Sequence, residues 1–187
     1  MTLVFCLEEP SARAMLEGVL PRLLPDGVEV RFIVFDGKQD LHKQLTKRIR
    51  GWLLPQSKFV VLRDQDSGDC LKIKGELQAL CQDTGKSDVL IRIACHELES
   101  FYLGDLSAVE KGLGIEGLAR QQTNSKFRVP DRLNNAAQEL SRITRTRYQK
   151  LSGSRAIGPH LSLDGQNRSA SFKTLVSGIE RLCEVME

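Results

Sequence analysis

Over its first hundred residues the chain alternates between two kinds of apolar pattern, and few folds accept that alternation. Short apolar runs at Leu3–Leu7, Val28–Phe35, Lys58–Leu62 and Val89–Ala94 are separated by segments whose apolar residues recur at helical spacing. Pro10-Ser11 opens the first such segment, which carries Ala14, Met15, Val19, Leu20 and Leu23 and is stopped by Pro25-Asp26-Gly27. Leu41, Leu45, Ile49 and Trp52 mark one face of a second helix. Leu71, Ile73, Leu77, Leu80 and Cys81 mark a third, ending near Gly85, and the last apolar run leads into a short helical stretch, Glu97 to Leu103. Strand and helix alternating with short connections predict βαβ units and a mainly parallel sheet. Continuous apolarity suits strands covered on both faces.

Beyond residue 104 the pattern loosens. Gly112 to Gly117 reads as turns and 118–129 as a polar connector. Pro130-Asp131 is expected to open a helix with Leu133, Ala137, Leu140 and Ile143 on one face and Arg132, Arg142, Arg145 and Arg147 mostly on the others. Ser152 to Ser169, rich in Gly and Ser, is expected as a long loop. A last amphipathic helix carries Phe172, Leu175, Val176, Ile179, Leu182 and Met186. The expected organisation is an α/β domain over 1–105, a four-stranded sheet flanked by helices, with a basic helical C-terminal extension, 106–187, packed on it.

The 187 residues are 41 % hydrophobic, which excludes wholesale disorder, and no run approaches the roughly 20 apolar residues of a membrane span. The opening MTLVFCLEE has no basic segment ahead of its apolar run, so no signal peptide is expected. Five scattered cysteines without a CxxC pair argue against a disulfide framework and a thiolate zinc site, and fit a reducing, cytoplasmic setting. Charge is polarised. Residues 1–119 hold 15 Lys/Arg against 18 Asp/Glu, residues 120–187 hold 12 against 6, and 120–155 hold 9 against 2. Such a run is either a solvated basic face or a seat for a polyanion.

In a parallel sheet ligands bind beyond the carboxyl ends of the strands. There the strands deliver Glu8 and Glu9; Asp36 with Gly37-Lys38; Asp64, Asp66 and Asp69; and His96, Glu97 and Glu99. Crowded carboxylates repel and need cations. A hard cation such as Mg²⁺ takes oxygen ligands and keeps several waters, so two or three carboxylates suffice. If the backbone is extended, Asp64 and Asp66 turn to one side, and Glu8 on a neighbouring strand completes a divalent-metal site suited to phosphodiester chemistry. Helix capping is the rival role for Asp64, Asp66 or Asp69 taken singly. His96 and His160 are accessory candidates, and Lys38 could steady a phosphate, although without GxxxxGK[ST] there is no P-loop. With 5 % aromatic residues, stacking on bases is poorly supported, and any grip on nucleic acid is expected to be electrostatic.

Several stretches resemble an uncharacterised family of small bacterial toprim-like proteins. They include Leu7-Glu8-Glu9-Pro10-Ser11, Val61-Leu62-Arg63-Asp64-Gln65-Asp66-Ser67-Gly68-Asp69-Cys70, Arg92-Ile93-Ala94-Cys95-His96-Glu97-Leu98-Glu99, Ile157-Gly158-Pro159-His160-Leu161 and Asn167-Arg168-Ser169. The resemblance runs nearly end to end. The toprim fold is shared with primases, topoisomerases and the overcoming-lysogenisation-defect nucleases. It implies that Glu8, Asp64 and Asp66 are catalytic and bind Mg²⁺ (or Mn²⁺), with Glu97 as a further metal acid. Glu9 departs from the pattern, since Gly usually stands there, and neither Tyr102 nor Tyr148 sits in a topoisomerase context. Both tyrosines are expected to pack, and hydrolysis is expected rather than strand passage.

Arg142, Arg145, Arg147, Lys150, Arg155 and Arg168 are the candidates for holding DNA or RNA phosphates. Family members are frequently encoded beside AAA- or ABC-type ATPases in what look like phage-defence operons, which implies an ATPase partner. The leading expectation is a Mg²⁺-dependent nuclease. The alternatives are a non-catalytic subunit docking on an ATPase, and chemistry on a small phosphorylated molecule.

Overall fold

The computed structural model describes residues 1–86 and 89–184. Four parallel strands, β1 (Thr2–Leu7), β2 (Glu29–Val34), β3 (Ser57–Asp64) and β4 (Val89–Ala94), form one sheet in the order β2-β1-β3-β4. β1 is central and wholly buried. Its side chains alternate between two apolar clusters, as the two-residue period of a strand requires. Val4 and Cys6 face Phe59 and Val61 and, across them, α2 (Gly37–Arg50) and α3 (Cys70–Gln82). Leu3, Phe5 and Leu7 face the other cluster, with Val60, Leu62 and α1 (Pro10–Leu23).

That second cluster also takes in the rest of the described chain: α4 (Glu99–Leu103), α5 (Leu106–Leu113), α6 (Ala136–Ile143), α7 (Lys150–Ile157) and α8 (Ala170–Glu184). The C-terminal helices therefore bury their apolar faces in the same interior as the sheet. Met186, expected at the end of the last helix, lies outside the described residues. No helix among them is long and apolar enough to cross a membrane.

Two segments differ from the sequence reading. The helix expected to run on from Pro130 is a single 3₁₀ turn, Pro130–Arg132, and α6 begins only at Ala136. The Asp131 carboxylate accepts from Ser169 Oγ and from the Ser171 N–H, so it serves the start of α8 instead of its own helix. α6 also ends at Ile143, so Arg145 and Arg147 lie beyond it, where Arg145 and Thr146 are both left-handed (φ 51° and 62°).

The expected 152–169 loop contains most of α7 and a 3₁₀ turn, Gly158–His160. Its small residues allow close packing. A Cβ on Gly158 would lie 2.5 Å from the Met15 carbonyl oxygen of α1, and one on Gly112 of α5 would lie 2.6 Å from that of Ala156. Only 161–169 is irregular, and Asp105 holds it by accepting from the Ser162 N–H.

Candidate functional site

α1 leaves β1 toward one face of the sheet, whereas α3 leaves the adjacent β3 toward the other. A crevice opens where neighbouring strands send their connections to opposite faces. Glu8, just past β1, and Asp64, the last residue of β3, stand at that point.

Glu8 is 8 % exposed and held from two directions. Its Oε2 accepts from the Asp64 N–H at 3.1 Å and lies 3.7 Å from Nε of Arg63, itself only 6 % exposed. Burial pushes the Glu8 carboxyl up, and that N–H and the guanidinium pull it back in part. Asp64 is pushed further, well above the usual carboxylate range, first by burial and then by the charges of Glu99 and Glu8; the Leu98 N–H opposes this. Glu99, 2 % exposed, accepts from the Tyr148 hydroxyl at 2.8 Å and is also raised by burial. Glu9 pairs with Lys150. Burial alone would lower the Lys150 ammonium, but Glu9, Glu99 and Asp64 raise it on balance. Between Glu8, Glu9, Ser11, Arg63, Asp64 and Leu98 lies a cavity of about 10 Å³, room for one water-sized body.

Asp66 does not share this side. β3 ends at Asp64 and Asp66 is left-handed (φ 55°), so the extended backbone that would align the two aspartates stops between them. Asp66 Oδ2 instead meets Lys38 Nζ at 2.8 Å and Arg63 at 3.5 Å, so Lys38 answers a carboxylate. His96 is left-handed too (φ 57°) and clasps the same turn. Its carbonyl accepts from the Asp66 N–H at 2.7 Å, and its Nδ1 lies 3.1 Å from the Asp66 carbonyl. A carbonyl only accepts, so Nδ1 carries the proton in that bond.

Glu97 Oε2 accepts from the Ala137 N–H at 2.7 Å, tying down the first turn of α6, and Asp69 caps α3 through the Lys72 N–H at 2.8 Å. His160 is exposed beside the C-terminal half of α1, where Gly18 faces Pro159, away from the acids. Arg142 pairs with Glu139 at 2.9 Å. Arg145, Arg147, Arg155 and Arg168 are exposed, and among the described residues none forms an ion pair.

Of the four residues expected to hold metal, Glu8 and Asp64 are brought together, and Asp66 and Glu97 are engaged elsewhere. Glu99, expected as an accessory, is near enough for its charge to act on Asp64, and Lys150, expected on phosphate, pairs with Glu9. Arg63 carries its own sequence signal, a charge inside an apolar strand just ahead of Asp64. Tyr148 was expected only to pack, yet its hydroxyl serves Glu99. His42 is half-buried, its Nε2 2.9 Å from Arg63, a contact in which the guanidinium can only donate.

Among the described residues no three His, Cys, Asp or Glu side chains form a ready metal cage. The donors nonetheless suit Mg²⁺, which needs one or two carboxylates and completes its shell with water or phosphate. Among the described residues no cationic side chain lies within ion-pair distance of Asp64, and the adjoining cavity admits one small ion.

The fold and the crevice define a parallel α/β domain with its acids at the topological switch point. The chain belongs to the family described as a domain of unknown function, DUF4276, whose model matches residues 7–180. The fold is similar to that of the C-terminal region of the Burkholderia pseudomallei OLD protein, with a TM-score of 0.55 and 17 % sequence identity over 97 % of this chain and 98 % of that one. No curated protein matches the sequence.

Proposed function

We propose that the crevice binds one divalent cation, Mg²⁺ or Mn²⁺, through Glu8 and Asp64, with Glu99 beside them, and that the protein hydrolyses phosphodiesters of nucleic acid. The observation that carries this reading is Asp64: a carboxyl raised first by burial and then by the charges of Glu99 and Glu8, with no ion-pair partner among the described residues, at the edge of a cavity for one small body. A bound divalent cation neutralises phosphate charge and acidifies the attacking water. Arg63 holds Glu8 in place, and Lys150 keeps Glu9 compensated. The exposed Arg145, Arg147, Arg155 and Arg168 would take phosphates electrostatically. The likeness to the OLD region supports the fold class, and the sequence resemblance supports the nuclease reading. In this reading the AAA- or ABC-type ATPase implied by that resemblance works with the nuclease as an anti-phage defence effector.

A second reading, a non-catalytic subunit docking on the ATPase, draws support from Glu9, Asp66 and Glu97, each of which is already engaged within this chain, by Lys150, Lys38 and the Ala137 N–H, instead of standing open for a metal. Incubation of wild type and Asp64→Asn with single- and double-stranded DNA and RNA and Mg²⁺ or Mn²⁺, with and without the ATPase, separates the two. Metal-dependent cleavage lost in a folded Asp64→Asn variant supports the nuclease. Complex formation without cleavage under any condition supports the docking subunit.

A further inference from the structure

Glu99 and Tyr148 are 49 positions apart, yet they meet in the interior, where the phenol donates to Glu99 Oε1 at 2.8 Å. Tyr148 is 7 % exposed and fixed on every side. Its ring stands 5.9 Å from that of Tyr102, centroid to centroid. Gly153 lies flat against it, where a Cβ would come within 2.4 Å of Cδ2. Its N–H bonds to Thr144 Oγ1 at 3.2 Å, which fastens it to the end of α6.

Glu99 is an expensive choice for a purely structural acceptor. A buried carboxylate is stable when a cation faces it, and among the described residues none lies within ion-pair distance of Glu99. A neutral glutamine would accept the same phenol bond without the charge. A phenol fixed on one oxygen of a buried carboxylate that has no ion pair among the described residues, with Asp64 near enough to feel its charge, describes a ligand held ready by its support.

We propose that Tyr148 is a positioning residue of the metal site: its hydroxyl fixes the Glu99 carboxylate so that the second oxygen serves the cation at Asp64. This rests on the metal reading above. The test is calorimetric Mn²⁺ binding to wild type, Tyr148→Phe, Glu99→Gln and the double variant, with thermal unfolding of each in chelator. Loss of a supporting hydrogen bond of this kind weakens metal affinity about 10- to 100-fold. That loss is expected for Tyr148→Phe, and adding Tyr148→Phe to Glu99→Gln should change nothing further, because both act through one carboxylate.

A merely structural tyrosine would lower the unfolding temperature and leave Mn²⁺ affinity alone. Binding by Tyr148→Phe within twofold of wild type, or effects that multiply in the double variant, overturns the proposal while the metal reading stands. Should Tyr148→Phe fail to fold, unchanged affinity in Glu99→Gln overturns it equally. Absence of Mn²⁺ binding in the wild type overturns the metal reading, and this inference with it.

Discussion

Arg63 and Asp64 are consecutive residues with opposite circumstances. The guanidinium is enclosed by Glu8, Asp66 and His42, whereas the carboxyl beside it has two acidic neighbours and, among the described residues, no ion-pair partner. Burial raises Glu8, Asp64 and Glu99, and the charges of Glu99 and Glu8 raise Asp64 further. A carboxyl raised in the folded state contributes stability that is complete below its unfolded pKa of about 4 and is lost as pH rises through the folded value. The chelator-treated protein should therefore lose stability from these groups on going from about pH 4 toward neutrality. Glu139 is held low chiefly by its bond from Lys126, aided by Arg142, and works in the opposite sense, so the useful quantity is a difference. Thermal unfolding of wild type and Asp64→Asn across pH should show the variant falling less steeply; parallel curves would contradict the assignment. Asp69 has a separate role. Replacing this cap by Ala should cost about 1 kcal/mol in urea unfolding and leave Mn²⁺ affinity unchanged.

At the scale of elements, helix α7 is tied to the crevice at its first residue, where Lys150 pairs with Glu9. Tyr148, just ahead of it, reaches Glu99, and the 3₁₀ turn after it packs on α1 at Gly158, a residue too small to hold it away. Gly158→Ala would drive a methyl into the Met15 carbonyl, and overpacking of that kind costs about 1–3 kcal/mol. A urea midpoint within error of wild type would refute it. The same helix shows what the sequence could and could not reveal. β1 to β4 and α1 to α3 are legible because burial on both faces of a sheet enforces continuous apolar runs, and a half-buried helix enforces period 3.6. α7 is not, because Gly153, Ser154 and Gly158 answer a need for closeness, and composition alone cannot separate that from a loop. The Asp64–Asp66 spacing misled for a related reason: the strand ends between the two, and nothing in the residue pattern marks the left-handed turn. Glu8 and Asp64 were readable from topology. Glu99 with Tyr148 depends on a contact spanning 49 positions, beyond any local signal.

Taken whole, the molecule sets an acidic crevice against exposed arginines that form no ion pair among the described residues. If nucleic acid is the substrate, its grip is mostly electrostatic, and binding should weaken linearly in log–log form with salt. Arg145→Ala/Arg147→Ala should reduce that slope by about 2 for duplex DNA while leaving Mn²⁺ affinity intact. An unchanged slope would remove those residues from the phosphate path. Substrate grip and metal binding thus separate experimentally.

The central claim is the cation itself, and calorimetric titration of Mn²⁺ into wild type and Asp64→Asn tests it most directly. Saturable binding to wild type, lost in a variant that unfolds at no lower temperature in chelator, is the predicted result. Equal binding by both proteins, or no binding by wild type, would contradict it.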